Sequence, residues 1–294
     1  MVRYLGHVRR LHCILFVRRH KQVKQFNVLG HIPEARRIDA DDRFHILAMF
    51  ASVYGVGHVT ARLWYAHGHR TLTDVMDSNS EKLNYLQEKG LEYHQDFSQK
   101  MSRADVEELI RYIRQGLDVL DPGITLEAVG GYSRGKTENG DLDVVISHPN
   151  AGREKTLLAD VVKHFQNEGF ILDVMYQGQS SPVEHIGPNK QSGGHGFDKL
   201  DKCFAAVRQP STRTLRQVDF IISPYEVLSC ALIGWQGSTL FERDLKRWCQ
   251  SRGYKFYSHG LFRIKTGEKI EVRSPKQFFD ILGLPYLDPT VRNC

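Results

Sequence analysis

Hydrophobic positions along residues 43–65 recur at helical spacing. Phe44, Leu47, Phe50 and Val53 fall on one face, and Gly55-Val56-Gly57 separates that segment from a second helical one. Residues 71–120 continue in the same period; the clearest stretch is 103–118, with Val106, Leu109, Ile110 and Ile113 on one side. Asp121-Pro122-Gly123 then breaks the chain. From residue 124 the period changes to two. Residues 124–132 read as a strand running into a glycine turn, and 142–147, 170–176 and 216–223 read as further strands, with a helix over 154–168. Residues 177–197, rich in Gly, Ser and Pro, predict a long mobile loop. Helix returns over 226–250 with a glycine break at 234–237, and 251–294 reads as short strands and a helix. No internal repeat is seen. The order predicts an α+β chain: a helical module, a mixed sheet with flanking helices, then a small α+β module. The boundaries fall at 1–37, 38–100, 101–225 and 226–294.

Composition narrows the class. The chain has 294 residues, 41% of them apolar and 25% charged, which suits one large or two to three small globular domains. No run of apolar residues is long enough to span a membrane. The net charge of +6 and pI near 9.0 favour a polyanionic partner such as nucleic acid. Five cysteines (Cys13, Cys203, Cys230, Cys249 and Cys294) form no CxxC pair and read as reduced thiols. The histidines show no metal-binding spacing, and His67 and His69, which flank a glycine, read as surface residues. Residues 1–37 stand apart. Arg3, Arg9, Arg10, Arg18, Arg19, Lys21 and Lys24 all precede the first acidic residue, Glu34. That start suits a mitochondrial presequence, a basic arm for DNA, a disordered segment, or a truncated start that does not belong to the native fold.

The chemistry concentrates in residues 130–146. Asp141 and Asp143 sit two apart on a predicted strand and so share a face, while Leu142 and Val144 face a core. Paired carboxylates repel, and one takes up a proton unless a cation lies between them. Magnesium, which binds one or two carboxylates together with substrate phosphates, satisfies that arrangement. Just upstream, Gly130-Gly131 leaves a strand in a turn whose amides can approach a phosphate, with Arg134 and Lys136 adding positive charge. Asp219 is the lone charge in the strand Val218-Asp219-Phe220-Ile221-Ile222, a costly position unless it is paired or metal-bound. Three converging carboxylates can hold two metals roughly 3.5–4 Å apart for phosphoryl transfer. Each feature has a plainer reading: a strand-end DxD, a simple turn, a salt-bridged aspartate. The joint pattern in this order is more specific than any part.

The stretch GGYSRGKTENGDLDVVISHP resembles the nucleotidyltransferase signature of the family X DNA polymerases. The likeness extends over roughly residues 30–294. SVYGVGHVTARLWYAHGHRTL resembles the second helix-hairpin-helix of that family, VDFIISPYE its third-aspartate strand, LIGWQGSTLFERDLKRW its nucleotide- and template-contacting segment, and LGLPYLDPTVRN its C-terminal end. The resemblance implies a catalytic palm over 101–225, a helix-hairpin-helix subdomain over 38–100 and a nucleotide- and template-contacting subdomain over 226–294. Asp141 and Asp143 would bind both magnesium ions, with manganese as the alternative metal, and Asp219 the ion near the primer 3′-hydroxyl. Gly130, Gly131, Arg134 and Gly140 would contact the incoming triphosphate, with Lys100 adding charge. Trp235 and Gly237 would lie along its sugar and base. Gly55, Val56 and Gly57 would hold DNA phosphates through backbone amides, helped by a monovalent cation on the carbonyls of Ala51, Val53 and Val56. Lys246 would also contact DNA.

Some positions depart from the family. Gln217 stands where it usually has an arginine orienting the third aspartate, and Arg216 next to it would face the other side of the strand. Gly234-Trp235 and the long 177–197 loop resemble DNA polymerase mu and terminal deoxynucleotidyltransferase, whereas Gly140 resembles polymerases beta and lambda. The mosaic is like fungal members. No lyase domain is recognisable in residues 1–30, and no BRCT-like domain precedes it, so lyase activity is not expected and DNA affinity should be strongly salt-sensitive. The expected activity is templated gap filling in DNA repair, by base excision or end joining. The expected protein is a monomer acting on gapped or primer-template DNA and deoxynucleoside triphosphates, alongside repair and ligation proteins. The nucleus is the expected compartment, with the mitochondrion as the alternative. Competing readings are a terminal-transferase-like enzyme with relaxed or no template dependence, a nucleotidyltransferase acting on RNA or a small molecule, and a non-catalytic DNA-binding remnant.

Overall fold

The computed structural model describes residues 22–178 and 199–293. Residues 1–21 of the basic start, almost all of the predicted 177–197 loop, and Cys13 and Cys294 lie outside the described residues. The chain divides into two compact units, Met1–His94 and Gln95–Cys294.

The first unit is helical: α1 (22–29), α2 (Pro33–Asp39), α3 (Asp42–Ala51), α4 (His58–Ala66), α5 (Leu72–Met76) and α6 (Tyr85–Glu92). Side-chain caps start α3, α5 and α6. Asp41 accepts the Arg43 amide at the head of α3, and reciprocal capping boxes, Thr71 with Asp74 and Asn84 with Gln87, open α5 and α6. The core is Phe50, Val53, Val56, Ala61, Trp64, Val75 and Leu91, with Phe50 edge-on to Trp64 at 5.5 Å. Phe44 shares the helical spacing but is 45% exposed, because it lies in the first turn of α3, away from the Phe50–Trp64 contact. His69 is part-buried, not a surface residue: both it (at 3.0 Å) and His67 (at 2.7 Å) point a ring nitrogen at one oxygen of Glu81.

The division falls within α7 (His94–Phe97). In order, the second unit contains β1 (Met101–Ser102), α8 (Arg103–Leu120), β2 (Thr125–Ala128), α9 (Gly130–Ser133), β3 (Glu138–Asn139), β4 (Leu142–Ser147), α10 (Glu154–Asn167), β5 (Ile171–Gly178), β6 (Asp201–Arg208), β7 (Leu215–Ile222), α11 (Leu228–Gln236), α12 (Thr239–Ser251), β8 (Tyr254–Tyr257), β9 (Gly260–Arg263), β10 (Lys269–Ile270) and α13 (Pro275–Ile281). Its central sheet runs β2-β4-β7-β6-β5, with β4 and β7 parallel and the other pairs antiparallel. β6 carries period-two burial (Cys203, Ala205, Val207) and lies outside the strands that the sequence predicts. Its small residues give a weak strand signal.

The period-two pattern sorts side chains between the two faces of this sheet. Leu142, Val144, Ile146, Val218, Phe220, Ile222, Cys203, Ala205 and Val207 join the apolar stripes of α8 and α10 in one core. The helices approach closely there: a Cβ on Gly116 of α8 would collide with the Phe165 ring of α10, and Phe165 stacks on Phe220 at 6.1 Å. The opposite face carries Val145 and Ile221, which meet Ala231 of α11, and on that same face lie Asp143 and Asp219. A three-stranded antiparallel sheet, β10-β9-β8, packs with α11, α12 and α13 around Phe241, Leu245, Phe256, Leu261, Phe278 and Phe279. Among the described residues no helix is long and apolar enough to cross a membrane.

Candidate active site

Asp143 and Asp219 are direct neighbours in the parallel register of β4 and β7. Both follow apolar residues that face the α8/α10 core, so the alternation that buries Leu142 and Val218 sends the two carboxylates to the other face together. Asp141 precedes β4 and is exposed. Burial pushes the Asp143 carboxyl up to about 7, the Asp141 charge adds to the rise, and Arg134 and Lys136 oppose it. Burial also raises Asp219, which is 8% exposed, well above the carboxylate range, and the Asp143 charge raises it further. Lys202, on the neighbouring strand β6, and a hydrogen bond from Gln217 act in the opposite direction.

The glycine turn abuts this pair. Gly130 has φ of +60°, which glycine adopts without strain, and a Cβ at that position would sit on the Asp143 carboxylate. The Val129 amide donates to the Asp143 carbonyl at 2.9 Å, tying the turn to β4. Arg103, at the start of α8, braces the loop by donating to the Tyr132 and Lys136 carbonyls and lying over the Tyr132 ring. Gly131 faces the stem of Lys136 and the amide of Asn139, and Gly140 faces the Lys100 ammonium. Gly130, Gly131, Gly140, Lys100 and Asp143 are therefore gathered in one place.

Gln217 takes part directly. Its Nε2 donates to Asp219 Oδ1 at 3.1 Å. Arg216 points to the other face, where it donates to Gln209 Oε1 at 3.0 Å and to the Gln99 carbonyl at 2.8 Å. Arg134 reaches in a different direction: its Nε donates to Asn293 Oδ1 at 3.1 Å and its Nη1 to the Gly237 carbonyl at 3.2 Å, while Asn293 Nδ2 returns a bond to the Arg134 carbonyl. The tail that presents Asn293 is anchored by Arg292, which is 0% exposed, donates to the Leu287 carbonyl and Gln236 Oε1, and has its carbonyl bonded by the Ser238 amide. Nothing in the sequence pattern marks Asn293, Arg292 or Arg103 for the site. They lie outside the glycine-aspartate motif, and only folding brings them to it.

Trp235 packs beside Val129, Val145 and Ile221, on the carboxylate face, and its indole Nε1 is buried without a hydrogen-bond partner among the described residues. Lys246 pairs with Glu242 on α12, with Nζ to Oε1 at 2.7 Å.

In the first unit, Gly55 has φ of +79°, and a Cβ there would meet Leu86 of α6 at 2.9 Å. The Val56 amide is used inside the turn, on the Val53 carbonyl at 3.0 Å, and the Gly57 carbonyl starts α4 by accepting the Ala61 amide. The turn is tight, buttressed by α6, and leaves Gly55 and Gly57 as its glycine amides.

Among the described residues no group of three or more His, Cys, Asp or Glu side chains is drawn together closely enough to hold a metal ion by itself. Asp141, Asp143 and Asp219 form an open set of carboxylates whose charges oppose one another. That chemistry fits magnesium, which takes oxygen ligands, uses few carboxylates and completes its shell with phosphates and water.

Comparison with known proteins covers most of the chain. The DNA polymerase beta palm model matches residues 100–225, the DNA polymerase beta thumb model residues 231–293, and the model for the fingers domain of DNA polymerase lambda residues 48–98. The chain is similar to human DNA-directed DNA/RNA polymerase mu, at 34% identity over 90% of this chain and 56% of that protein. It is similar to DNA polymerase lambda of Arabidopsis thaliana, at 29% identity over 92% of this chain and 51% of that protein. It is also similar to DNA nucleotidylexotransferase of Xenopus laevis, at 28% identity over 86% of this chain and 53% of that protein. The chain spans about half the length of the curated relatives it matches.

Proposed function

Since the chain belongs to the family X DNA polymerases, we propose that it adds deoxynucleotides to the 3′-hydroxyl of a DNA primer, filling short gaps in DNA repair. The observation that carries this reading is the register of Asp143 opposite Asp219 on one sheet face, next to the Gly130-Gly131 turn. Asp141, Asp143 and Asp219 would hold two divalent ions, magnesium first and manganese as the alternative. Such a pair of ions activates the attacking hydroxyl and neutralises charge on the transferring phosphate.

The residues around them divide the remaining tasks. Gln217 fixes Asp219 through Oδ1, and Asp219 would hold the ion near the primer 3′-hydroxyl. Gly130, Gly131 and Gly140 admit the triphosphate closely, and Lys100 and Arg134 oppose its charge. Arg134 also links that pocket to Gly237 and, through Asn293, to the tail, so the segment from Trp235 to Gly237 lines the sugar and base. The Gly55 and Gly57 amides would grip DNA phosphates, with a monovalent cation on the carbonyls of Ala51, Val53 and Val56, and Lys246 would add a further contact to the DNA. In this reading the protein works as a monomer in the nucleus, beside repair and ligation proteins.

Primer extension on gapped, nicked and single-stranded DNA tests the reading. Wild type should extend the gapped primer with magnesium, and Asp143→Ala should abolish extension while DNA binding, read by fluorescence anisotropy, persists. Extension retained by Asp143→Ala would overturn the site. A second reading, terminal transfer without a template, is favoured by Gly234-Trp235 and by the similarity to DNA nucleotidylexotransferase. Growth of a lone single-stranded primer decides for it.

A further inference from the structure

The register of the central sheet sets one row of side chains across the carboxylate face. Asp143 of β4 stands opposite Asp219 of β7, Asp219 opposite Phe204 of β6, and Phe204 opposite Tyr176 of β5. Neighbouring strands lie about 4.8 Å apart, so the row leads from the carboxylates to the sheet edge in two steps. Its outer half is aromatic. The Tyr176 and Phe204 rings are 5.2 Å apart and tilted by 32°, and Tyr176 is 43% exposed. The roles assigned above use neither ring.

Three local features build this pair. Val174 packs against the α8/α10 core, and plain alternation would send Tyr176 to the same side. The pairing of β5 with β6 shifts between Val174 and Tyr176, and that shift turns the tyrosine to the carboxylate face. Gly178 then lets the ring lie along β5, because a Cβ there would collide with the Tyr176 hydroxyl. Lys202, the partner of Gly178 on β6, shares this face and is near enough to act on the Asp219 carboxylate. Open rings on a sheet face with a lysine beside them are the chemistry that receives a nucleobase and its phosphate. In a duplex the faces of the bases are covered by their neighbours, so such rings favour an unpaired base.

We propose that Tyr176 and Phe204, with Lys202, form a stacking platform for the unpaired 3′ end of single-stranded DNA. A base near that end rests on the rings, Lys202 opposes the charge of an adjoining phosphate, and the row leads the strand to Asp219. The proposal rests on the primer reading of Asp219 given above. A strand held by the faces of its bases can have any sequence and needs no template. The platform is thus the part of the palm that grips a primer which no partner strand supports.

Tyr176→Ala, Tyr176→Phe and Gly178→Ala in the full chain test it. Binding of a fluorescein-labelled single strand and of gapped DNA is read by anisotropy without nucleotide present. Stacking is read from the fluorescence of 2-aminopurine placed next to the 3′ end of the single strand, which wild type should quench. Tyr176→Ala should bind the single strand about tenfold more weakly, the loss expected for one stacked base, and should leave the 2-aminopurine bright. Its loss on gapped DNA, where the template holds the primer, should be much smaller. Tyr176→Phe should behave as wild type. Gly178→Ala displaces the ring without removing it, so it should repeat the loss, and it carries the test if Tyr176→Ala does not fold. Equal losses on the two DNAs, no loss on the single strand, or quenching retained by Tyr176→Ala would overturn the proposal. Wild type that extends a gapped primer beside an indifferent Tyr176→Ala overturns the platform alone. Wild type that neither quenches the 2-aminopurine nor extends a primer overturns the polymerase reading and the platform with it.

Discussion

Removing one charge from the paired aspartates should stabilise the metal-free protein at alkaline pH. Asp143 is opposed by Asp141 and faces Asp219 across β4 and β7, and burial with the Asp141 charge raises it from 3.8 to about 7. Between those two values the folded protein keeps a proton that the unfolded chain has released, so stability falls as pH rises through that window. Below the ordinary carboxylate value the effect vanishes, because both states are protonated. Converted at 1.36 kcal/mol per pH unit, the whole interval is worth roughly 4 kcal/mol as an upper figure. Relaxation of exposed Asp141 and the nearby Arg134 and Lys136 reduces it, and half of it, about 2 kcal/mol, corresponds to roughly 4–8 °C in a unit of this size.

Asp143→Asn keeps the shape and removes the charge. In the presence of a chelator, melting followed by circular dichroism should show Asp143→Asn above wild type at about pH 8 and level with it at about pH 4. Adding magnesium should raise the melting temperature of wild type and do much less for the variant, because a bound ion stabilises only the state that holds it. Asp143→Asn melting below wild type at the higher pH without metal would refute the reasoning. It would mean that the carboxylates are not under mutual repulsion and do not call for a cation.

Two further predictions address other links. Gln217→Leu removes the hydrogen bond to Asp219 Oδ1, so the Asp219 carboxyl should rise further; extension should slow by about tenfold near neutral pH and recover as pH rises, and an unshifted pH–rate profile would count against the orienting role. Gly55→Val forces a branched side chain into φ of +79° and onto Leu86, which should destabilise the hairpin by roughly 1–3 kcal/mol and weaken DNA binding at fixed salt in an anisotropy titration, with the nucleotide site unchanged.

Much of this was legible in the sequence, because the relevant periods are strong. The stripe Val106, Leu109 and Ile113 marks α8, and the alternation around Asp143 and Asp219 already places both carboxylates on the faces opposite their apolar neighbours. Local pattern could not give the pairing partner. That β4 and β7 are adjacent and parallel, with Asp143 opposite Asp219, depends on a crossover through α10, β5 and β6, and β6 itself is written in small residues that signal little. The helpers were hidden for the same reason. Arg103 reaches the loop from the start of α8, and Asn293 reaches Arg134 from the far end of the sequence, on a tail held by a buried arginine. Arg216 and Gln217 were readable as a departure and as a parity problem. Only the structure shows that the glutamine, the shorter and neutral group, does bond the aspartate, while the arginine is used elsewhere.

The distribution of broken rules supports the site independently of any motif. The sheet face under α8 and α10 is consistent at every level: apolar side chains at period two meet apolar stripes at helical period, and Phe165 fits over Gly116. The other face breaks the rules within a few residues. It has opposed carboxylates on adjacent strands, Asp219 buried and Asp143 half-buried, a glycine in the left-handed region against one of them, and a buried indole N–H without a partner among the described residues, and the loop beside it holds a buried amide in the same state. The opposed carboxylates lower stability, and a cation between them would relieve that cost. The opposed carboxylates and the glycine turn that abuts them, gathered on one edge of one face, describe a fold held ready for a charged ligand.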